Sequence, residues 1–411
     1  FSDVYSGYIS DPMNARSTFE SPVSANITEH KATVLDTDTR VHKDEAGNLV
    51  GEIKVNPDAV IYDPVKDKWV PVGEGVTSFT KTRYGYKWAN YHHGKPMLMA
   101  DIIYAEAFVD EWSTKDTADD KTYDEQYASY HNSLTGLKAI DFDTEDKEFT
   151  YYFDYNFPAD EMRQACWYGP SINVTAAGQN VGCVWEVVEA LGRMVAYGSE
   201  SGQVYSFSGS KEGTIEVDLL NSGCVADIKA ELKKMIAEKH VPASIKDYIS
   251  VEEAVARYKA AVKWIDEHGH AYISDGPFYL DKYDTKANFA KLKAFRDETY
   301  PYEGSYWVDY FKTPRMVIDN VEVPNMTALG EDIPVTVNVS EIIYPSSDAN
   351  PAENISLTLT LITDNEEINF KAEMVEPGVY KGVIKGNSTK ELKASSYTIM
   401  AVAEDEGEIP I

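Results

Sequence analysis

Three small groups of residues have the types that do chemistry, and each falls short on spacing. His92 and His93 are adjacent, Asp141, Asp143 and Glu145 alternate, and Ser199 and Ser201 stand between Gly198 and Gly202. Neighbouring side chains diverge on a strand or turn, and no thiol or carboxylate is suitably spaced, so the histidine pair reads as structural. The acidic run resembles the start of a calcium loop but lacks the glycine at the sixth position and the glutamate at the twelfth, so it reads as outward faces of two strands. Glu200 occupies the place where a nucleophile elbow needs serine. His268 and His270 flank Gly269 and read as a cap and a strand residue. With no nucleophile–base pair, metal cluster or phosphate loop, neither catalytic residues nor a metal nor a cofactor is expected, and an extracellular hydrolase is disfavoured.

Aromatic residues offer more. Cys166-Trp167-Tyr168-Gly169-Pro170 is the densest aromatic cluster near turn residues. Flat, rigid side chains at a strand end hold sugar rings or peptide side chains in a cleft, and they equally fill cores. Trp167 and Tyr168, with Trp185 and Tyr8, are the candidate ligand contacts. Cys166, Cys183 and Cys224 are too few for a disulfide scaffold and lie at no zinc spacing. One pair can be bridged, Cys166 to Cys183 closing the shortest loop; the odd thiol is then a buried free cysteine or pairs outside the chain.

The composition narrows the partners. With 411 residues and 43% hydrophobic content the chain can bury a large core, and its length suggests two or three domains. A formal charge of -30 and a pI near 4.6 argue against nucleic acid or an anionic membrane, since the phosphate interaction would be repulsive. No apolar run reaches membrane-spanning length and Phe1 opens no signal-peptide pattern, as expected of a mature chain or a fragment of one. Asn-x-Ser/Thr sequons begin at Asn26, Asn173, Asn325, Asn338, Asn354 and Asn387, four of them after residue 320. Together with the tyrosine and tryptophan content they favour a secreted or cell-surface glycoprotein.

The elements that must position these residues follow from periodicity. Val251, Ala254, Val255, Tyr258, Val262 and Ile265 recur at helical spacing after a Ser250/Glu253 capping box, and Gly269 stops that helix. Gly276-Pro277 then turns the chain into a strand at Phe278 and Leu280, paired with Asn288 to Phe295. Earlier, Val50 to Val55, Ala59 to Tyr62 and Trp69 to Val72 read as short strands. Strand sequence through Phe79 and Tyr84 gives way at Gly94-Lys95-Pro96 to a helix bearing Ile103, Ala107 and Phe108 on one face. Leu137 to Phe157 reads as a hairpin turning at Glu145-Asp146, and Val184 to Val195 and Ser222 to Ala237 as helices. From Arg315 the sequence alternates almost throughout, which predicts a β-sandwich of about 95 residues.

Several of these segments resemble one family. SDGPFYLDKYDTKANFAKLKAFRDETYP is similar to the Gly-Pro hairpin of the solute-binding proteins of oligopeptide and dipeptide ABC transporters, extracellular solute-binding protein family 5, and carries Gly276, Pro277 and Phe278. The stretch from Val76 to Trp112 resembles that family's signature, matched at Lys87, Trp88, His92, Gly94, Pro96, Asp101, Ile102, Ile103 and Tyr104, with three extra residues between Trp88 and His92 and with His93 in place of the usual Asp. The hairpin at 137–157 follows the signature helix there too. Gly7-Tyr8-Ile9-Ser10-Asp11-Pro12-Met13 resembles the family's closing segment; alternatively it matches a W-x-G-D-Y-x-D-P stretch, with Tyr8 where an acidic residue for a peptide's amino terminus is expected.

The resemblance covers roughly residues 75 to 305. It implies an α+β chain: periplasmic-binding-protein type II-like lobes with mixed sheets and flanking helices over residues 1–310, then an all-β immunoglobulin-like sandwich over 311–411, as in archaeal cell-surface members. The implied function is the substrate-binding component of an ABC importer, taking a small peptide or oligosaccharide to permease subunits without bond chemistry. The order of segments departs from the family's, so an N-terminal segment or second chain is expected to supply the other lobe. A stalk or anchor is expected beyond Ile411. The alternative is a structural surface-layer or filament protein reusing the same fold.

Overall fold

Alternation builds the first sheet. In TKTRYG, Thr80, Thr82 and Tyr84 are buried while Lys81, Arg83 and Gly85 are partly exposed, as period-2 side chains on a sheet with one covered face require. The computed structural model describes residues 33–301 and 314–405, apart from 126, 129–135, 158–160, 162–163, 166–173, 176–181, 210, 276–277, 285, 288, 344–345, 354 and 364–365. The chain divides into two units, Phe1–Pro301 and Tyr302–Ile411.

In the first unit, strands β1 (Thr33–Thr39), β2 (Val60–Asp63), β3 (Lys68–Pro71), β4 (Thr80–Gly85), β5 (Leu137–Asp143) and β6 (Glu148–Phe153) form an antiparallel sheet in the order β1-β4-β6-β5-β2-β3. The expected hairpin is β5–β6, and its acidic residues serve local structure. Asp143 Oδ1 accepts the Glu145 and Asp146 N–H groups in the turn, and Asp141 accepts a 2.7 Å bond from Asn56.

Helices α1 (Met99–Ser113), α2 (Trp185–Tyr197), α3 (Ser222–Glu238) and α4 (Val251–His268) supply the rest of the core. Their starts are chemically marked. The Asn221 side chain accepts the Gly223 and Cys224 N–H groups at α3, and Ser250 Oγ accepts that of Glu253 at α4. Gly269 closes α4 with φ +78, a conformation that glycine adopts without a Cβ penalty. A strand pair, β7 (Phe278–Asp284) with β8 (Phe289–Ala294), follows, and its exposed Phe289, Lys291 and Lys293 alternate with half-buried Ala290, Leu292 and Ala294 as the sequence predicts.

One expectation needs correction. The stripe predicted for α4 ran through Val251, Val255 and Val262, yet Val251 is exposed and the other two are half-buried. The buried face is Ala254, Arg257, Tyr258, Ala261, Trp264 and Ile265. The helix is turned so that a charged residue points inward.

The second unit is all β: β9 (Pro314–Glu322), β10 (Ile333–Ile343), β11 (Ala349–Pro351), β12 (Ile355–Ile362), β13 (Glu367–Glu376), β14 (Val379–Ile384) and β15 (Thr398–Asp405). The order is β9-β10-β14-β13-β12-β15, with β11 beside β10. In this all-β unit the strands form one nearly closed path. Strand β13 is shared: residues 367–372 pair with β12 and 373–376 with β14, with an irregularity between Met374 and Glu376. Val335, Val337, Val339, Leu357, Leu359, Leu361, Tyr380 and Ile384 fill the interior. Gly386 lies where a Cβ would sit 2.1 Å from the Gly330 carbonyl oxygen. Gly386→Ala is therefore expected to destabilise the second unit by about 1–3 kcal/mol, an overpacking cost that backbone on both sides cannot relieve, read from urea unfolding.

Candidate functional site

The segments that carry the family resemblance converge on the loop between β4 and α1. Residues 89–97 fold back on themselves: Tyr91 N–H donates to Lys95 O at 2.8 Å, Met97 N–H to Ala89 O at 2.8 Å, and Gly94 takes φ +81 in the turn. His92 N–H donates to Ser274 O at 2.9 Å, so the loop is stitched to the buried segment that leads into β7. The His92 ring packs against Phe295 at 5.0 Å, Tyr279 at 6.0 Å and Trp264 at 6.3 Å. Asn90 N–H donates to Thr299 Oγ1 at 2.8 Å. The signature residues thus have structural duties.

Beneath the loop lies a buried charge cluster. Arg257 of α4 grips Asp101 of α1 with Nη1–Oδ1 at 2.7 Å and Nη2–Oδ2 at 3.1 Å, and Nη2 also donates to the Pro96 carbonyl. Glu186 of α2 lies 3.6 Å from the same guanidinium, and His93 Nε2 is 2.6 Å from Glu186 Oε1. The side chains of His93, Glu186, Arg257 and Asp101 are at most 1% exposed. Lys95 N–H lies 3.5 Å from His93 Nδ1. The Tyr91 and Trp185 rings flank the guanidinium at 5.7 and 6.0 Å.

The electrostatics follow from burial and pairing. Burial raises the Asp101 carboxyl to about 6, Arg257 opposing the rise and Glu186 adding to it. At Glu186 burial pushes the same way, but the His93 hydrogen bond and the Arg257 charge hold it below the ordinary glutamate value. Burial works against the guanidinium charge, yet Asp101 and Glu186 raise the Arg257 pKa above its usual value. The constellation is shielded from solvent. It holds α1, α2, α4 and the loop in one arrangement.

The aromatic candidates separate. Trp185 is fully buried among Tyr104 at 5.5 Å, Tyr258 at 5.6 Å and Arg257, a core position, so its expected role as a ligand contact is corrected. Trp167, Tyr168 and Tyr8 lie outside the described residues, as do Gly276, Pro277 and the sequons at Asn26, Asn173 and Asn354. Trp88 is half-buried beside Tyr86 at 5.4 Å, with Lys147 Nζ 6.0 Å from its ring centroid, and Phe278 is exposed. Cys183 carries a free, buried thiol that contacts the Ala271 carbonyl, and its candidate bridge partner Cys166 lies outside the described residues. Cys224 is also free and buried. Asn325 and Asn387 are exposed; Asn338 lies half-buried within the β10 ladder.

Arg257 and Glu186 went unread in the sequence because charge signals a solvated face. The available signal was positional: Arg257 falls on the same helical stripe as Ala254, Tyr258 and Ala261. A second unread anchor is Asp227 of α3. It accepts Ser201 N–H at 2.9 Å and the Tyr205 hydroxyl at 2.8 Å, fixing the Gly198–Gly202 loop as structure.

Two expected outcomes follow from these charges. Arg257→Met leaves Asp101 and Glu186 buried without their cation and is expected to cost about 3–5 kcal/mol in urea unfolding; the double change Arg257→Met with Asp101→Leu recovers part of it. On the far side of α1, burial and the neighbouring Glu106 raise Asp110 to about 8, and burial raises Glu111 to about 7. The folded chain then keeps protons that the unfolded chain has already released, so stability falls as pH rises from about 6 to 8. Tm is expected to drop across that window, and Asp110→Asn to flatten the drop. No family model matches the chain, and no curated protein matches it.

Proposed function

We propose that this chain is the solute-capturing component of an ABC importer, working at the cell surface on small peptides or oligosaccharides. The supporting observation is spatial. Three segments that resemble the binding-protein family, 79–112, 137–157 and 271–297, are far apart in sequence but adjoin in the first unit: β4 pairs with β6, and the loop after β4 bonds to the segment before β7. The β-rich second unit takes the part of the immunoglobulin-like module that follows the lobe in surface members. Capture rests on the different affinities of open and closed forms for solute. The solute is held between the first unit and a second lobe supplied by an upstream segment or another chain. The loaded form then docks on permease subunits.

A structural surface-layer or filament role is the second reading. It is favoured by how closed the charge cluster is: the family's signature loop packs over side chains that pair with one another, Arg257 with Asp101 and His93 with Glu186. No helix among the described residues is long and apolar enough to cross a membrane, and both readings accommodate that. Calorimetric titration of the purified chain with mixed oligopeptides and with oligosaccharides, alongside native mass spectrometry, separates them. Weak binding by the chain alone that tightens when a co-purifying chain is present supports capture. No heat with any solute, together with large multiples of this chain, overturns capture in favour of assembly.

A further inference from the structure

On the second unit, the end of β9 and the loop to β10 expose several apolar side chains to water. Val321, Val323 and Leu329 are 39–46% exposed and Met326 is 92% exposed. Pro324, Met326, Thr327, Ala328, Glu331 and Asp332 line a shallow depression of about 490 Å³. Exposed apolar runs of this kind promote association unless something covers them.

Two sequons adjoin the run. Asn325-Met326-Thr327 lies within it, and Asn325 is exposed. Asn387-Ser388-Thr389 is fastened to the loop's other end: Gly386 N–H donates to Asp332 Oδ1 at 2.8 Å, Lys385 pairs with Asp332 at 3.1 Å, and Gly330 N–H donates to Thr389 Oγ1 at 3.1 Å. Asn387 is exposed as well, next to residues that line the depression. Asn338, by contrast, is half-buried within a paired strand, with Val337 and Val339 on either side in the core.

We propose that Asn325 and Asn387 carry N-linked glycans that lie over this loop and depression and keep the apolar run from pairing with other proteins. The proposal rests on the cell-surface reading, since sequons are used in exported chains. Each transfer joins the asparagine amide nitrogen to C1 of the first sugar of an oligosaccharide diphosphate donor. The bond from C1 to the donor oxygen breaks, the diphosphate leaves with the electron pair, and the amide nitrogen loses one proton to a base of the transferase. A sugar shell suits this place better than a protein partner would, because bulky hydrophilic groups attached at two flanking points leave little of the run accessible.

The test uses the full chain exported by a host that glycosylates sequons. Peptide mass mapping is expected to find glycan on both asparagines, and Asn325→Gln or Thr327→Ala to remove one of them. Enzymatic removal of the sugars from the folded chain is expected to raise binding of the apolar dye ANS and to produce concentration-dependent self-association. Met326→Asp on the stripped chain is expected to reverse both. Sugars on other sequons with none at Asn325 and Asn387 overturn this inference and leave the surface reading standing. No sugar at any sequon counts against both. Sugars at both positions whose removal changes neither dye binding nor association overturn the covering role.

Discussion

The first unit depends on a guanidinium taken wholly out of water. Moving a charge from water into a protein interior is tolerated only if its charge and its donors are met locally. Arg257 meets its charge with Asp101 and Glu186 and its two Nη groups with Asp101 and the Pro96 carbonyl, drawn from α1, α2 and the intervening loop, while its Nε lies 3.7 Å from Glu253 Oε1 without a hydrogen bond. Asp101 is tied twice, since its Oδ2 also accepts Leu98 N–H at 2.5 Å at the start of α1. The gain is positional more than energetic, because a buried ion pair roughly breaks even against an apolar replacement. One rotation of α4 brings Arg257 to Asp101, and that rotation sets what the other side chains of α4 touch.

Its consequences run along the helix to the hairpin. With Arg257 inward, Trp264 faces the His92 ring, and His268 packs on Trp264 at 4.0 Å. Just beyond Gly269, His270 lies buried against β7. Its Nδ1 accepts the Tyr272 N–H and its Nε2 contacts the Leu280 carbonyl at 2.8 Å. Burial lowers the pKa of His270 to about 4, so the ring is neutral through the physiological range and keeps one donor and one acceptor in place. The β7–β8 hairpin is therefore positioned by the same helix that carries the buried arginine.

The sequence made the elements legible and left the polar interior hidden. Alternation and turn chemistry placed the 137–157 hairpin, Gly269 as a helix stop and the β8 strand, because those signals are local and each residue reports its own environment. Arg257 and Glu186 were illegible for the opposite reason. Their burial depends on partners 156 and 71 positions away, and a lone charge in a helix ordinarily marks its wet face. Trp185 failed as a ligand contact through the same ambiguity: a tryptophan suits a cleft and a core equally, and only its neighbours Tyr104 and Tyr258 decide. In the second unit the strands were evident, but a strand shared by two neighbours, as β13 is, leaves no mark in an alternating pattern.

The closed interior also bears on where a solute could be gripped. Arg257, Asp101, Glu186 and His93 are engaged with one another, so drawing on any of them for a ligand would strand its partner in a medium that penalises it. On the capture reading proposed above, recognition on the first unit falls to groups outside this cluster. Trp88 with Tyr86 and Lys147, and the exposed Phe278 at the start of β7, have the required character: flat or extended apolar faces, partly wet, mounted on elements whose backbone is already fixed.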